Sequence, residues 1–429
     1  MGLANHGVSR TTIRSFSSYV LSLSVAALLV GCGGSQPPIG APGTVPQRLA
    51  GETNSGSSYR VLYTFIYPGT DGISPQDDLT VHDGKLYGTT ELGGQYGRGT
   101  VFEVDTKGRE SIVHSFTGGD GEQPMTAVTF AGDTLYGTTE TGGECAPGCG
   151  TLYKIDKKGV ERTAFAFDNF DDGEVPDGSL ILSGGTLYGT TYFGGSGICY
   201  SGCGVLFSLS PSHSSKEATV HEFDHRDGGG PNGRLILFKG AFYGTTFVGG
   251  HQTGTAYKVT TAGREYVLYR FRRGYKRDFG RGKDGWGPAA GLAVMNGVLY
   301  GTTLRGGTGT ACGVAGCGTV YSITRDGQEH VIHSFQGGTD GAAPYGDLVI
   351  FHDKLYGTTK NGGSTCSGNG CGIIFSIDAA GKEEILHTFS GEPDGQWPTA
   401  GLALLNGTLY GTTRSGGSYA TGTVFTLKP

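Results

Sequence analysis

Apolar and polar residues alternate along this chain in short runs that end at glycine-containing pairs. The first complete set covers residues 78–82, 85–90, 99–104 and 110–116. In the second run Leu86 falls on one face and Tyr87 and Thr89 on the other, the period of two that a β-strand imposes. Asp83-Gly84 between the first two runs is a tight hairpin signal, Gly93-Gly94 opens a loop, and Lys107-Gly108 turns between the third and fourth runs. Asn296-Gly297 and Asn406-Gly407 stand where Asp83-Gly84 stands.

The set recurs. Leu-Tyr-Gly-Thr-Thr begins at Leu86, Leu135, Leu187, Leu299, Leu355 and Leu409, with Phe242 opening the fourth copy. Its tyrosines (87, 136, 188, 243, 300, 356, 410) are 49, 52, 55, 57, 56 and 54 residues apart. Four strands per unit at a period near 50 predict the blades of a β-propeller. The segment 59–65 matches a fourth strand such as 111–116, and the last run, 422–427, matches a third strand. The pattern therefore predicts an all-β fold over residues 59–429, a seven-bladed propeller of four-stranded blades in which the N-terminal strand closes the last blade. An open solenoid would leave both matching pieces unpaired.

The 82 glycines would suggest disorder if scattered, but they fall at fixed places in each unit and read as turns. A formal charge of −6 argues against a nucleic-acid partner. The apolar run 19–30 follows Arg10 and Arg14 and is too short to span a membrane. It ends in Leu29-Val30-Gly31-Cys32, similar to a bacterial lipobox, so residues 1–31 are expected to be a lipoprotein signal peptide, with Cys32 lipidated. Residues 32–58 would form a Gly/Pro/Ser-rich tether, and the lipid a membrane anchor. Gly33, lacking the Asp that retains lipoproteins at the inner membrane, favours the outer membrane of a diderm cell. Export implies an oxidising compartment.

Each unit also carries Asp-Gly-x-x-Pro, with Asp at 71, 120, 172, 227, 284, 340 and 394. Asp accepts local N–H groups, Gly takes positive φ and Pro leads into a strand, so the motif is expected to be a turn. A ring of cation sites is disfavoured, because calcium needs six to eight oxygens at one point. Together with LYGTT-x-x-GG and G-T-V-F, this motif resembles the GloVer tandem repeat of "choice-of-anchor" envelope proteins over about residues 59 to 429. The resemblance implies an envelope location and a propeller-like array, and carries no catalytic residues over.

Phenylalanines 65, 116, 167, 223, 271, 335 and 389 end the fourth strands. Two residues before them stand Tyr63, His114, Phe165, His221, Tyr269, His333 and His387. Histidine alternating with Tyr and Phe is expected to pack between blades rather than bind metal. The cysteines other than Cys32 pair as Cys145/Cys149, Cys199/Cys203, Cys312/Cys317 and Cys366/Cys371, each in a loop between second and third strands. These loops span 7, 9, 11 and 9 positions against 5, 4 and 5 in the cysteine-free blades, so a local disulfide pinning each long loop is expected. Zinc shared by neighbouring pairs, or bridges between loops, are the alternatives.

One segment breaks the repeat. Residues 270–284 hold seven basic residues against two aspartates, with aromatics interleaved. Arg272, Arg273, Lys276, Arg277, Arg281, Lys283 and Trp286 are the expected ligand-binding residues, by charge attraction and ring stacking. A solvated insertion is the plainer alternative. No Gly-x-Ser-x-Gly, His-Glu-x-x-His or P-loop is present, and Glu140, Glu144, His225 and His251 are scattered mouth candidates. The expectation is a non-catalytic binding or scaffold propeller of the cell envelope for an anionic or carbohydrate polymer, with no cofactor. A polysaccharide hydrolase or lyase and a module that holds partner proteins are the rivals.

Overall fold

The computed structural model describes residues 58–429 except 144–148, 168–169, 200, 212–216, 251–252, 273–281, 364–365 and 367. Cys32 and the signal and tether segments lie outside the described residues. Strands Thr80–His82, Lys85–Thr90, Thr100–Val104 and Glu110–Ser115 make the first antiparallel blade, and six more of the same order follow. In the seventh, Ala403–Leu405, Thr408–Thr413 and Thr423–Lys428 are completed by the N-terminal strand Ser58–Thr64. That strand pairs from Ser58↔Lys428 to Thr64↔Thr423, so the expected seven-bladed ring with its N-terminal closure is the observed fold. The first strand begins at Thr80 rather than residue 78, because Asp77 and Asp78 turn out of the sheet toward the propeller axis.

The repeated sentence is explained by what its residues touch. A Cβ on Gly88 would lie 2.6 Å from the Phe102 ring, and one on Gly137 would lie 2.2 Å from the Tyr153 hydroxyl, so only glycine lets the third-strand aromatic lie across the second strand. The last threonine donates to the carbonyl two residues on in every blade, from Thr90 to Leu92 at 2.9 Å through Thr413 to Ser415 at 2.9 Å. That bond turns the chain into the Gly-Gly loop.

The core lies between blades. Each fourth-strand Phe meets the third-strand aromatic of the next blade edge to face: Phe65–Phe102 at 5.1 Å, Phe116–Tyr153 at 5.0 Å, and so on to Phe389–Phe425 at 5.3 Å. These seven phenylalanines are all buried. A β-bulge recurs where the third strand meets the fourth, at Val101/Phe102 and its equivalents, and adds twist to the outer edge of each blade.

Candidate functional site

Seven equivalent stretches, each following an Asp-Gly-x-x-Pro proline, converge on the propeller axis. They enclose a small cavity of about 70 Å³ lined by residues of all seven blades, among them Gln76, Asp77, Asp177, Asn232, Arg234 and Tyr345. The backbones touch at this waist. A Cβ on Gly346 would fall 2.2 Å from the Ala400 carbonyl carbon, and one on Gly233 would fall 2.5 Å from that of Ala290.

Buried carboxylates tie the waist together across blades. Asp77 accepts the Ser179 hydroxyl at 2.9 Å and the Ala127 N–H. Asp78 accepts the Gly401 N–H at 2.5 Å, and Asp347 accepts the Gly291 N–H at 2.6 Å. Burial pushes Asp77 up to about 6 and Asp177 up to about 8, the latter helped by Glu140 and Asp77. Asp78 and Asp347 are raised by the same burial, and Arg234 partly offsets both.

The residue after each Leu-Tyr-Gly-Thr-Thr stands over this waist and, apart from two glutamates, the seven are unlike: Glu91, Glu140, Tyr192, Phe247, Leu304, Lys360 and Arg414. Arg414 pairs with Glu91 at 3.0 Å, joining blade 7 to blade 1, and Gln76 donates to the same carboxylate at 2.5 Å. Burial and then Glu91 raise Glu140, while burial and then Arg414 lower Lys360. Tyr192 is pushed up to about 12 by burial and Asp177. Tyr345, though deep among protein atoms, is 38% exposed. Trp397, whose carbonyl accepts the Arg414 N–H at 3.1 Å, is 40% exposed. The mouth therefore combines aromatic faces with carboxylates from blades 1–3 and cations from blades 6 and 7. Glu140 was legible in the sequence as a mouth candidate. The others were not singled out, although their divergence within a repeated sentence was the available signal.

Away from the axis, the Asp of each Asp-Gly-x-x-Pro behaves as the turn residue expected. Asp71, Asp120, Asp227, Asp284, Asp340 and Asp394 each accept the N–H of the residue after the preceding blade's fourth-strand Phe, at 2.5–3.2 Å. They also meet the variable residue of that strand: Tyr63 to Asp71 at 2.7 Å, His114 to Asp120 at 2.9 Å, Tyr269 to Asp284 at 2.6 Å. A second carboxylate per seam went unnoticed in the sequence. It is the Glu six residues before six of the seven fourth-strand phenylalanines, at 110, 161, 217, 265, 329 and 383, with Tyr59 in that place before Phe65. In all six one carboxyl oxygen is buried without a hydrogen-bond partner. Burial first, and then the nearby Asp, pushes Glu110 and Glu329 up to about 7 and Glu383 up to about 9.

Cys199–Cys203, Cys312–Cys317 and Cys366–Cys371 are disulfides, with Cα–Cα distances of 5.2, 5.2 and 5.5 Å. The fourth expected bridge, Cys145–Cys149, is not among these three, because Cys145 lies outside the described residues. Cys149 itself is buried and disulfide-bonded. The second cysteine of each pair is buried and offers its carbonyl to the next blade, as Cys149 does to the Val175 N–H at 3.0 Å and Cys317 to the Ala343 N–H at 2.8 Å. In two of the three cysteine-free blades Thr253 and Thr421 hold the same place by donating to the Phe271 and Phe65 carbonyls, both at 2.5 Å. Replacing Cys312 and Cys317 by serine is expected to lower the unfolding free energy by about 2 kcal/mol, read from equilibrium urea denaturation.

Of the basic segment, Arg273, Lys276, Arg277 and Arg281, like Glu144 and His251, lie outside the described residues. Arg272 and Lys283 are exposed at its two ends. The Arg305 guanidinium lies 5.0 Å from the Trp286 ring centroid, so that ring is capped rather than bare. His225 sits on the blade-4 rim, 3.8 Å from Cys199 Sγ, and not with Glu140.

The Gloeobacter/Verrucomicrobia repeat is matched at residues 51–255 and 200–425. Among curated proteins no sequence matches the chain. Several solved structures are distantly similar to the chain. A Bacteroides thetaiotaomicron protein of unknown function is 9% identical, with a TM-score of 0.41, over 88% of this chain and 99% of that one. A puromycin-hydrolysing peptidase of Mycobacterium tuberculosis is 10% identical, with a TM-score of 0.47, over 79% of this chain and 50% of that one. The endosialidase of phage phi92 is 11% identical, with a TM-score of 0.43, over 86% and 68%.

Proposed function

Because the chain belongs to the Gloeobacter/Verrucomicrobia repeat family, a repeat whose sameness builds the scaffold, we propose that its function lies where the repeats differ, in a glycan-binding mouth on the propeller axis. The carrying observation is the contrast between positions that repeat in all seven blades and the unlike residues that ring the axis. Trp397 and Tyr345 supply exposed aromatic faces for sugar rings, Glu91 and Glu140 accept hydroxyls, and Lys360 and Arg414 attract an acidic group. In this reading the protein is a non-catalytic propeller held at the bacterial cell envelope by lipid on Cys32, and the basic segment from Arg272 to Lys283 extends the contact to a longer anionic polymer.

Binding of the full chain to a panel of acidic and neutral envelope glycans, at low and high salt, tests this. Trp397→Ala is expected to weaken binding at least tenfold without unfolding, since Ala343 already holds the equivalent left-handed position at φ 54°. Arg414→Ala should weaken the salt dependence, leaving the share carried by Lys360 and the basic segment. Unchanged affinity in both variants would sink the axial site. A glycan hydrolase is the rival, because burial, with Glu140 nearby, raises Asp177 to about 8, and two carboxyls of unlike acidity are what general acid catalysis on a glycosidic bond requires. Turnover of a bound glycan, lost in Asp177→Asn, would replace the binding reading.

A further inference from the structure

The blade seams share one plan, and one seam departs from it. Where blades 1 and 2, 3 and 4, and 6 and 7 meet, histidine and aspartate are in direct hydrogen bond: His114–Asp120 at 2.9 Å, His221–Asp227 at 2.9 Å, His387–Asp394 at 3.0 Å. Between blades 5 and 6 the same residues stand apart. His333 Nε2 is 3.4 Å from Asp340 Oδ2 and 3.7 Å from Glu383 Oε2. His333 Nε2 and Glu383 Oε1 are both buried with no hydrogen-bond partner. The three side chains are only 17%, 23% and 11% exposed. One donor atom from each lies within 4.8 Å of the other two.

We propose that His333, Asp340 and Glu383 form a divalent metal site of the zinc class, which pins blade 5 to blade 6. Zinc bound at ~2.0–2.2 Å by nitrogen and oxygen in tetrahedral geometry places neighbouring ligand atoms roughly 3.3–3.6 Å apart, close to the spacing found here. One imidazole and two carboxylates also balance the charge of the ion and belong to its preferred donors. Asp340 Oδ2 is held in place by the Gln336 N–H at 2.5 Å, the outer-shell support that fixes a ligand's orientation. The His114, Asp120 and Glu161 donors also cluster within 4.8 Å, but there the histidine and aspartate are already closed on each other. The fourth position at the His333 seam is left to water.

The test uses the full untagged chain, stripped with chelator and titrated with zinc, read by calorimetry and thermal melting, with cobalt absorption as the coordination probe. His333→Phe is a conservative loss, because Phe165 occupies the equivalent place on blade 2. Glu383→Gln is the second variant and His114→Phe the control. The wild type and His114→Phe are expected to bind one equivalent with a rise in melting temperature. His333→Phe and Glu383→Gln should lose that equivalent at least a hundredfold in affinity. Equal zinc binding by wild type and His333→Phe, or no shift in wild-type melting at saturating zinc, overturns the site.

Discussion

Phe65→Ala is expected to lower the unfolding free energy by about 3–5 kcal/mol, the range for truncating a fully buried aromatic. The residue sits where the ring closes. Its side chain is completely buried, meets Phe102 of blade 1 at 5.1 Å and Tyr63 at 5.3 Å, and belongs to a cluster that includes Tyr410 and Val424 of blade 7. Its N–H donates to the Gly422 carbonyl at 3.2 Å, and its carbonyl accepts the Thr421 hydroxyl at 2.5 Å. Alanine keeps the backbone bonds and removes the ring, so the loss isolates packing. Urea denaturation followed by tyrosine and tryptophan fluorescence measures it. Ile198→Ala, at a side chain that is 75% exposed, is the comparison and should change stability by less than about 0.5 kcal/mol. A Phe65→Ala loss no larger than that would mean that the N-terminal strand does not close the ring in solution.

The second large effect is a fall in stability as pH rises through neutrality. Glu110, Glu161, Glu217, Glu265 and Glu329 are each pushed up to about 7 by burial first, and in each an aspartate nearby adds to the rise. A carboxyl whose folded value lies above its unfolded value stabilises the fold while protonated. The contribution is complete below the ordinary glutamate range and is lost as pH rises through about 7. Facing groups modify the sum: His114 and Arg162 pull Glu161 down, and His221 and Arg270 pull Glu265 down. These side chains are partly open, so solvent screening reduces each contribution to about 1 kcal/mol. Five of them predict a melting temperature about 5 °C lower at pH 8.5 than at pH 5.5. Thermal melts across that range check the sign, and Glu161→Gln should flatten the slope. A melting temperature that rises with pH would refute the protonated seam glutamates.

Much of the fold was legible because its determinants repeat. Tyr87 and its six counterparts gave the blade count, and the matching segments at residues 59–65 and 422–427 gave the closure. Three of the four expected disulfides, in the second, third and fourth of the cysteine pairs, were legible from close pairing within the longer loops. The mouth was harder for the opposite reason. Gln76, Asp177, Tyr345, Lys360 and Arg414 stand at two positions that vary around the ring, and single-residue variation in a constant frame looks like drift until the topology brings the blades to one axis. The seam glutamates were visible as a fixed spacing before Phe116, Phe167 and the rest. Their meaning depends on an aspartate some forty residues earlier, such as Asp120 for Glu161, which only the packing of strand against loop supplies. The basic segment stands out by composition, and its centre lies outside the described residues.

The closing strand also fixes an order of events in synthesis. Phe65 and Thr421, hydrogen-bonded across the junction, are 356 residues apart in the chain. Blades 1 to 6 can each assemble from residues made within one stretch, but the seventh needs both Ser58–Thr64 and Thr423–Lys428. Long-range pairing carries the largest loop-closure entropy and is slow to form. A full-length chain whose ring has not yet closed would therefore present two complementary strand edges, Ser58–Thr64 and Thr423–Lys428, each without its partner. Under those conditions the same register, Ser58 to Lys428, would pair one chain's beginning with another chain's end and string incomplete rings into oligomers.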